Sequence, residues 1–399
     1  MKRAAPRRVT AAQGEVTLTI DSLAAGGDGI GHAPDGRVVF VPFTAPGDRV
    51  VVAIEPGAKR YARGRVVALQ EAGPARTDPL CAVFGSCGGC AWQHVDYAAQ
   101  VAAKRRILSD ALVRIGGFEL SEGPALTPCP SPYAYRGRTR VVVAQGRVGY
   151  RRRRSHAVCA TARCPILVPA LDEALAALAA QPPHEDGEWE LAAGLAGEVR
   201  VTPLGEREAT GSRIALMAGA DRIERSPGVF AQSNQLLLDA LAGAVWRASR
   251  TGARVIELFA GAGFFTLGLA RRFEQVVAVE GEPLAARDLA RNLEQAGLRN
   301  VEVVTEPVER ALAGRLQRGG DAIVLDPPRT GLPQGFAGRI AALGACRVVY
   351  LSCDPATLAR DLSEIAAAGY RLAHVEGFDL FPQTPHLEAL AVLEQEGAG

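Results

Sequence analysis

The chain has no run approaching the roughly 18–20 uninterrupted apolar residues of a membrane span, although 48% of its 399 residues are hydrophobic. A membrane partner is therefore not expected. The first residues, MKRAAPRRVT, lack the apolar core of a secretory signal, so the chain is expected to act in the cytoplasm. Lysine is nearly absent: Lys2, Lys59 and Lys104 are the whole complement. Such a bias reflects a GC-rich genome better than a mechanism, though the planar fork of arginine suits bidentate phosphate contacts.

The net charge of +2 conceals an asymmetry. Residues 1–167 hold 24 Lys+Arg against 12 Asp+Glu, and residues 168–399 hold 21 against 31, so the two parts carry +12 and −10. A basic front part joined to an acidic back part fits a protein that grips a polyanion with one and a small molecule with the other. Eight cysteines exceed chance filler, and a cytoplasmic chain does not keep disulfides, so metal ligation or thiolate catalysis is the expected use.

The length allows two to three domains of about 100–200 residues. Residues 1–13 are basic and aperiodic and read as a flexible tail. From residue 14 to 70, short β-branched runs (EVTLTI, RVVFVPF, RVVVAI, ARGRVVAL) alternate with Gly-, Pro- and Asp-rich turns, which predicts four or five strands in a small β-barrel or sandwich. Arg37, Arg49, Lys59, Arg60, Arg63 and Arg65 decorate it. Residues 71–225 form a central α+β region with an amphipathic helix in DYAAQVAAKRRILSDALVRIGG and the run Arg151–Arg154 beside Tyr150 and His156, a candidate phosphate contact. From residue 226 to 399 strands and helices alternate, which predicts an α/β domain with an open, mainly parallel sheet. Ligands of such sheets bind beyond the carboxyl ends of the strands.

Each candidate site residue of this last domain falls at such an end. VIELFAGAGFFT carries Gly261 and Gly263 into a helix start, where bare backbone can approach a ligand. Glu280, seventeen residues after Gly263, closes the next strand and can accept both hydroxyls of a ribose. Thr266 stands where the dinucleotide fingerprint has its third glycine, which favours S-adenosylmethionine over a dinucleotide. Asp326 ends another strand on a stiff Pro-Pro turn. Cys353 lies between an apolar strand and a helix that Asp354 can cap and Pro355 can open; the positive helix end is expected to lower the thiol pKa and make a nucleophile. His386 and Glu388 precede the last strand, and either can serve as a general base. Cys81, Cys87 and Cys90, spaced x5 and x2, are a metal-knuckle pattern, with Cys159 or Cys164 available as a fourth thiolate. Zinc and [4Fe–4S] are not separated by this spacing, and the Cys-x3-Cys-x2-Cys signature of radical enzymes is absent.

Taken together, these motifs resemble the S-adenosylmethionine-dependent RNA 5-methyluridine methyltransferases, in the branch with an N-terminal TRAM domain and a [4Fe–4S] cluster. The likeness runs from Glu15 to Leu393. It rests on CxxFxxCGGCxxQHxxYxxQ over Cys81–Gln100, FxQxN over Phe230–Asn234, the cofactor loop, DPPR, SCxPxTLARD and HLE, in that order. The resemblance implies a Rossmann-like methyltransferase domain, a TRAM barrel and a central iron–sulfur domain. It also implies Cys81, Cys87, Cys90 and Cys164 as cluster ligands, and Gln232, Phe259, Glu280 and Asp326 as cofactor contacts. Cys353 falls on the nucleophile and Glu388 on the base. RNA is the implied partner, 23S rRNA ahead of the T-loop of tRNA, with no obligate protein partner and a monomeric state. Phe264 and Pro307 depart from the family pattern by removing polar side chains, and Glu306 or the backbone is expected to replace the contact at the adenine. A cytosine-5 methyltransferase would carry a cysteine where Pro328 precedes Arg329. A silent RNA-binding relative would lack Cys353 or Glu388, and an iron–sulfur redox enzyme would not separate its cysteines from the cofactor loop.

Overall fold

The computed structural model describes residues 14–55, 61–204, 213–314, 316 and 319–397. The basic segment 1–13, Lys59 and Arg60 lie outside them. The chain divides into two compact units: residues 1–85, 89–103 and 383–385 form the first, and residues 86–88, 104–382 and 386–399 the second.

Five strands build the first unit: β1 (Glu15–Leu23), β2 (Gly29–His32), β3 (Val38–Val41), β4 (Arg49–Ile54) and β5 (Tyr61–Glu71), closed in the order β1-β2-β3-β5-β4. Period-two alternation turns Leu18, Ile20, Val39, Val41, Val50, Val52 and Ile54 inward as its core, and closure leaves no sheet edge unpaired. Asp48, buried between strands, accepts from the Ala45 and Gly73 amides at 2.6 and 2.9 Å and from Arg76 at 2.6 Å. Burial alone would raise this carboxyl, but Arg76 and the two amides hold it below the usual range. Elsewhere in this unit Gln100 and Gln383 exchange two hydrogen bonds of 2.9 Å, both buried.

Helix α1 (Tyr97–Arg114) begins in the first unit and ends in the second. The second unit continues with β6 (Ala125–Thr127), β7 (Arg138–Ala144), β8 (Arg147–Arg151), β9 (Val158–Ala160), α2 (Pro169–Ala180), β10 (Gly187–Ala193), β11 (Val199–Pro203), β12 (Ile214–Ala218) and β13 (Asp221–Arg225). Strands β11-β10-β7-β8-β9 make one sheet, against which α2 buries Leu171 and Leu175. The alternation expected after residue 226 follows: α3 (Leu238–Ser249), β14 (Gly252–Leu258), α4 (Thr266–Ala270), β15 (Phe273–Val279), α5 (Pro283–Gln295), β16 (Val301–Val304), α6 (Val308–Gly314), β17 (Ala322–Leu325), α7 (Phe336–Ala342), β18 (Arg347–Ser352), α8 (Pro355–Ala367), β19 (Tyr370–Phe378) and β20 (Glu388–Gln395).

The resulting eight-stranded sheet has the order β16-β15-β14-β17-β18-β20-β19-β6. Its strands β14 to β18 run parallel, and β20 runs antiparallel to both β18 and β19. The strands of its parallel half read as continuous Val, Ile and Leu because both faces are covered; β17 is buried at all four positions. Strand β6, from the central region, adds itself parallel to β19, and Leu108 and Leu112 of α1 enter the core of this sheet. No helix among the described residues is long and apolar enough to cross a membrane.

Candidate active site

At the carboxyl end of β14 the chain turns through three residues with positive φ: Phe259 (65°), Gly261 (58°) and Gly263 (96°). A Cβ on Gly261 would meet nothing within 4 Å, so this backbone faces open space, whereas one on Gly263 would strike Leu289 at 2.7 Å. The first glycine offers approach; the second is needed for packing and conformation. Glu280, at the end of β15, pins the turn by accepting from the amides of Gly261 and Glu282, both at 2.7 Å. A carboxylate has about four acceptor positions, so two remain for hydroxyls. Gly261 and Glu280 border a cavity of about 590 Å³ with Phe230, Arg140 and Leu284.

Glu257, one turn of chain earlier in β14, was not singled out by sequence. It is 2% exposed and its Oε2 has no hydrogen-bond partner among the described residues. Burial, opposed by the nearby Thr266 hydroxyl and assisted by the charges of Asp326 and Glu280, pushes the Glu257 carboxyl up to about 8. A buried carboxyl with an open oxygen beside a bare backbone turn fits a polar small molecule better than a structural glycine turn. The signal in sequence was an acidic residue inside an otherwise apolar strand.

Across the sheet, the ladder of β18 and β20 pairs Arg347 with Glu394 through Ser352 with Ala389. Cys353 and Glu388 are the residues next beyond its last pair, and the charge of Glu388 acts on the Cys353 thiol. Glu388 is 2% exposed and Cys353 half-buried. The predicted cap is present: Asp354 accepts from Ala356 and Thr357 at 3.0 Å, and Pro355 opens α8. The predicted fall in thiol pKa is not. Burial, then the charge of Glu388, push the thiol up to about 11, and the hydrogen-bonded guanidinium of Arg329 opposes them without prevailing. Desolvation at this depth disfavours the charged thiolate.

Burial likewise raises Asp326, to about 7, and Glu388, which the charge of Asp326 raises further. His386 moves the other way, down to about 4, through burial and the positive charges of Arg329 and Lys104. It is therefore neutral at physiological pH. Gln232 is half-buried, two residues before the buried Asn234, and Phe230 is 65% exposed with Arg138 6.0 Å over its ring.

The cysteine knuckle is a different matter. Cys81 and Cys90 fall in the first unit, Cys87 and Cys164 in the second. All four are of intermediate exposure, and no group of three or more Cys, His, Asp or Glu side chains is found as a metal holder among the described residues. The described residues thus do not show the expected central iron–sulfur domain. Cys159, the alternative fourth thiolate, is buried in β9.

A tRNA (uracil-5-)-methyltransferase family profile matches residues 222–396, and a TRAM domain profile matches residues 14–67. The chain is 32% identical to a 23S rRNA (uracil(1939)-C(5))-methyltransferase RlmD of Vibrio vulnificus, covering 95% of this chain and 96% of that one. The chain belongs to the RNA uracil-C5 methyltransferases. The RlmD of Pseudomonas aeruginosa is similar at 33% identity over 94% of this chain and 93% of its own. Among solved structures, a Pyrococcus abyssi tRNA (uracil-54, C5)-methyltransferase in complex with S-adenosyl-L-homocysteine superposes with a TM-score of 0.73. At 24% identity it covers 95% of this chain and all of that one, and so supports the same fold. The family's barrel and methyltransferase domain are the β1–β5 and β14–β20 assemblies described above.

Proposed function

We propose that the chain methylates carbon 5 of a uridine in 23S rRNA, with S-adenosylmethionine as methyl donor. The observation that supports this reading is the β18–β20 ladder, whose last pair, Ser352 with Ala389, is followed directly by a thiol, Cys353, and preceded by a buried carboxyl, Glu388. The residue set fits the donor: open backbone at Gly261, acceptor capacity on Glu280, and the unpartnered Glu257 oxygen. Gln232, Phe259, Gly261, Gly263, Glu280 and Asp326 would hold it. When bound, it supplies a methyl group activated by a sulfonium.

The chain's own residues do the rest. Uracil C5 is too weak a nucleophile to be methylated directly. Cys353, having lost its proton to solvent, adds to C6, and the C5–C6 electron pair moves to make an enolate that takes the methyl group at C5. Glu388 then removes the C5 proton, the C5–C6 double bond re-forms and the C6–S bond breaks, which frees the thiolate. Arg329 supports the negative sulfur at the start and the end. The target uridine must leave its stack to reach Cys353, and the arginines of the barrel and Arg151–Arg154 would hold the RNA around it. The place of action is the cytoplasm, and the protein works as a monomer.

The [4Fe–4S] cluster stays a proposal on the spacing of Cys81, Cys87, Cys90 and Cys164 and on the family resemblance; no step runs through it. Iron and sulfide analysis of anaerobically purified protein, with each cysteine changed to serine in turn, tests it. The function itself is tested with labelled S-adenosylmethionine and separate unmodified 23S rRNA and tRNA pools. Label as 5-methyluridine in the 23S pool, abolished by Cys353→Ala, is the expected result. Label in the tRNA pool alone would move the substrate to tRNA, and none in either would overturn the reading.

A further inference from the structure

Of three lysines in the chain, Lys104 is wholly buried. Its ammonium sits 2.5 Å from Oδ1 of Asp379, which is also wholly buried, and donates to the Phe381 carbonyl at 2.9 Å. Asp379 and Phe381 lie in the loop from Phe378, the last residue of β19, to Glu388, the first of β20. Leu380, Pro382 and Leu387 are buried too. Loops usually run over the surface because water satisfies their carbonyls. Here protein donors replace water: Asn234 Nδ2 reaches the Leu380 carbonyl at 3.1 Å, Lys104 that of Phe381, and the Tyr135 hydroxyl that of Pro382 at 2.9 Å.

Lys104 is the charged member of this set, and charge is the costly choice. Burying an ion pair gains little net stability over apolar residues of the same size. What it provides is position, since the ammonium fixes a carboxylate and a carbonyl of the same loop together. Nucleophile and base differ in how they depend on that loop. Cys353 is set by β18 and by the Asp354 cap of α8, neither of which is in it. Glu388 is the residue at which the loop ends.

We propose that the Lys104–Asp379 pair is a positioning device for the base step: it sets the loop that delivers Glu388 to the C5 proton and leaves the thiol addition untouched. This rests on the assignment of Cys353 and Glu388 made above. Loss of the pair slows removal of the C5 proton, so the covalent Cys353–C6 adduct accumulates on ordinary RNA. With 5-fluorouridine there is no C5 proton to remove, so after methyl transfer the C6–S bond persists whether or not the base is in place.

The test uses the full-length protein, a 23S rRNA transcript and its 5-fluorouridine counterpart, with adducts resolved on denaturing gels. Lys104→Met should trap the fluorinated transcript within about twofold of the wild-type rate. On the ordinary transcript its adduct should rise about tenfold as 5-methyluridine formation falls. If Lys104→Met leaves Asp379 charged, buried and unfolding the protein, Lys104→Met/Asp379→Asn, which has no buried charge to strand, carries the same expectation. Equal slowing of trapping and turnover, or wild-type partition in the folded double variant, would reduce the pair to a structural role and overturn the proposal. A wild type that fails to trap the fluorinated transcript would instead remove the catalytic assignment beneath it.

Discussion

The sharpest consequence of the site's electrostatics concerns Arg329. Its guanidinium is the group that opposes the burial and the Glu388 charge raising the Cys353 thiol to about 11. At pH 8 a thiol of that pKa is about one part in a thousand thiolate. A charge-assisted hydrogen bond in a dry site is worth about 1.5–3 kcal/mol, but Cys353 is half-buried and Arg329 exposed. Solvent screening leaves about 1.4 kcal/mol, one pH unit. Arg329→Gln therefore raises the thiol pKa, and far below that pKa one unit lowers the thiolate fraction about tenfold. The assay is the rate of iodoacetamide labelling of the Cys353 peptide at pH 8, followed by mass spectrometry. The exposed Cys346 serves as a control that should not change. Labelling of Cys353 that is unchanged or faster in Arg329→Gln, with Cys346 constant, would refute the assignment of Arg329 as the thiolate's support.

Gly263→Ala forces a side chain into φ +96° and onto Leu289 at 2.7 Å, so S-adenosylhomocysteine affinity by calorimetry should fall about tenfold or more. Asp361, buried, accepts from the Tyr350 hydroxyl at 2.6 Å and from the Leu332 amide and Arg360 at 2.8 Å; Asp361→Asn should cost about 2–3 kcal/mol in urea unfolding. Burial would raise Glu190, but Arg225 and Arg138 outweigh it and hold its carboxyl below the ordinary range. Its contribution to stability is complete above the unfolded value of about 4.3 and lost as pH falls through the lower folded one. Glu190→Gln should destabilise the protein at pH 7 by about 3–5 kcal/mol, leaving Arg225 buried without its carboxylate, and should flatten the loss of stability below pH 4.

Much of the fold was legible in the chain because it is written in local periodicity. Alternating apolar residues announced four of the five barrel strands, β2 lying in a Gly- and Asp-rich stretch that reads as a turn, and the apolar runs ending in Glu280, Asp326 and Cys353 announced strands of the sheet and their carboxyl ends. Glycines 261 and 263 were legible for the same reason, since a positive φ is a property of one residue. Asp354 and Pro355 marked the start of α8 as plainly. The cysteine spacing raised an expectation of a cluster that the described residues do not show.

Other features depended on contacts distant in sequence. The choice between His386 and Glu388 could not be made from their spacing; the proposal of Glu388 draws on the antiparallel ladder of β18 and β20, whose last pair, Ser352 with Ala389, adjoins Cys353 and Glu388. Strand β6, three residues long, has too short a pattern to announce that it joins the last sheet. The thiol pKa was predicted with the wrong sign because a helix cap is visible in sequence and desolvation is not. Lys104 and Asp379 stand 275 residues apart, and no periodicity relates them. Sequence by itself determined which elements form and which chemistry their ends carry, because those follow from local backbone preference and side-chain type. Tertiary structure alone decided which of those ends face one another and how dry they are, because register and burial are set by packing across the whole chain.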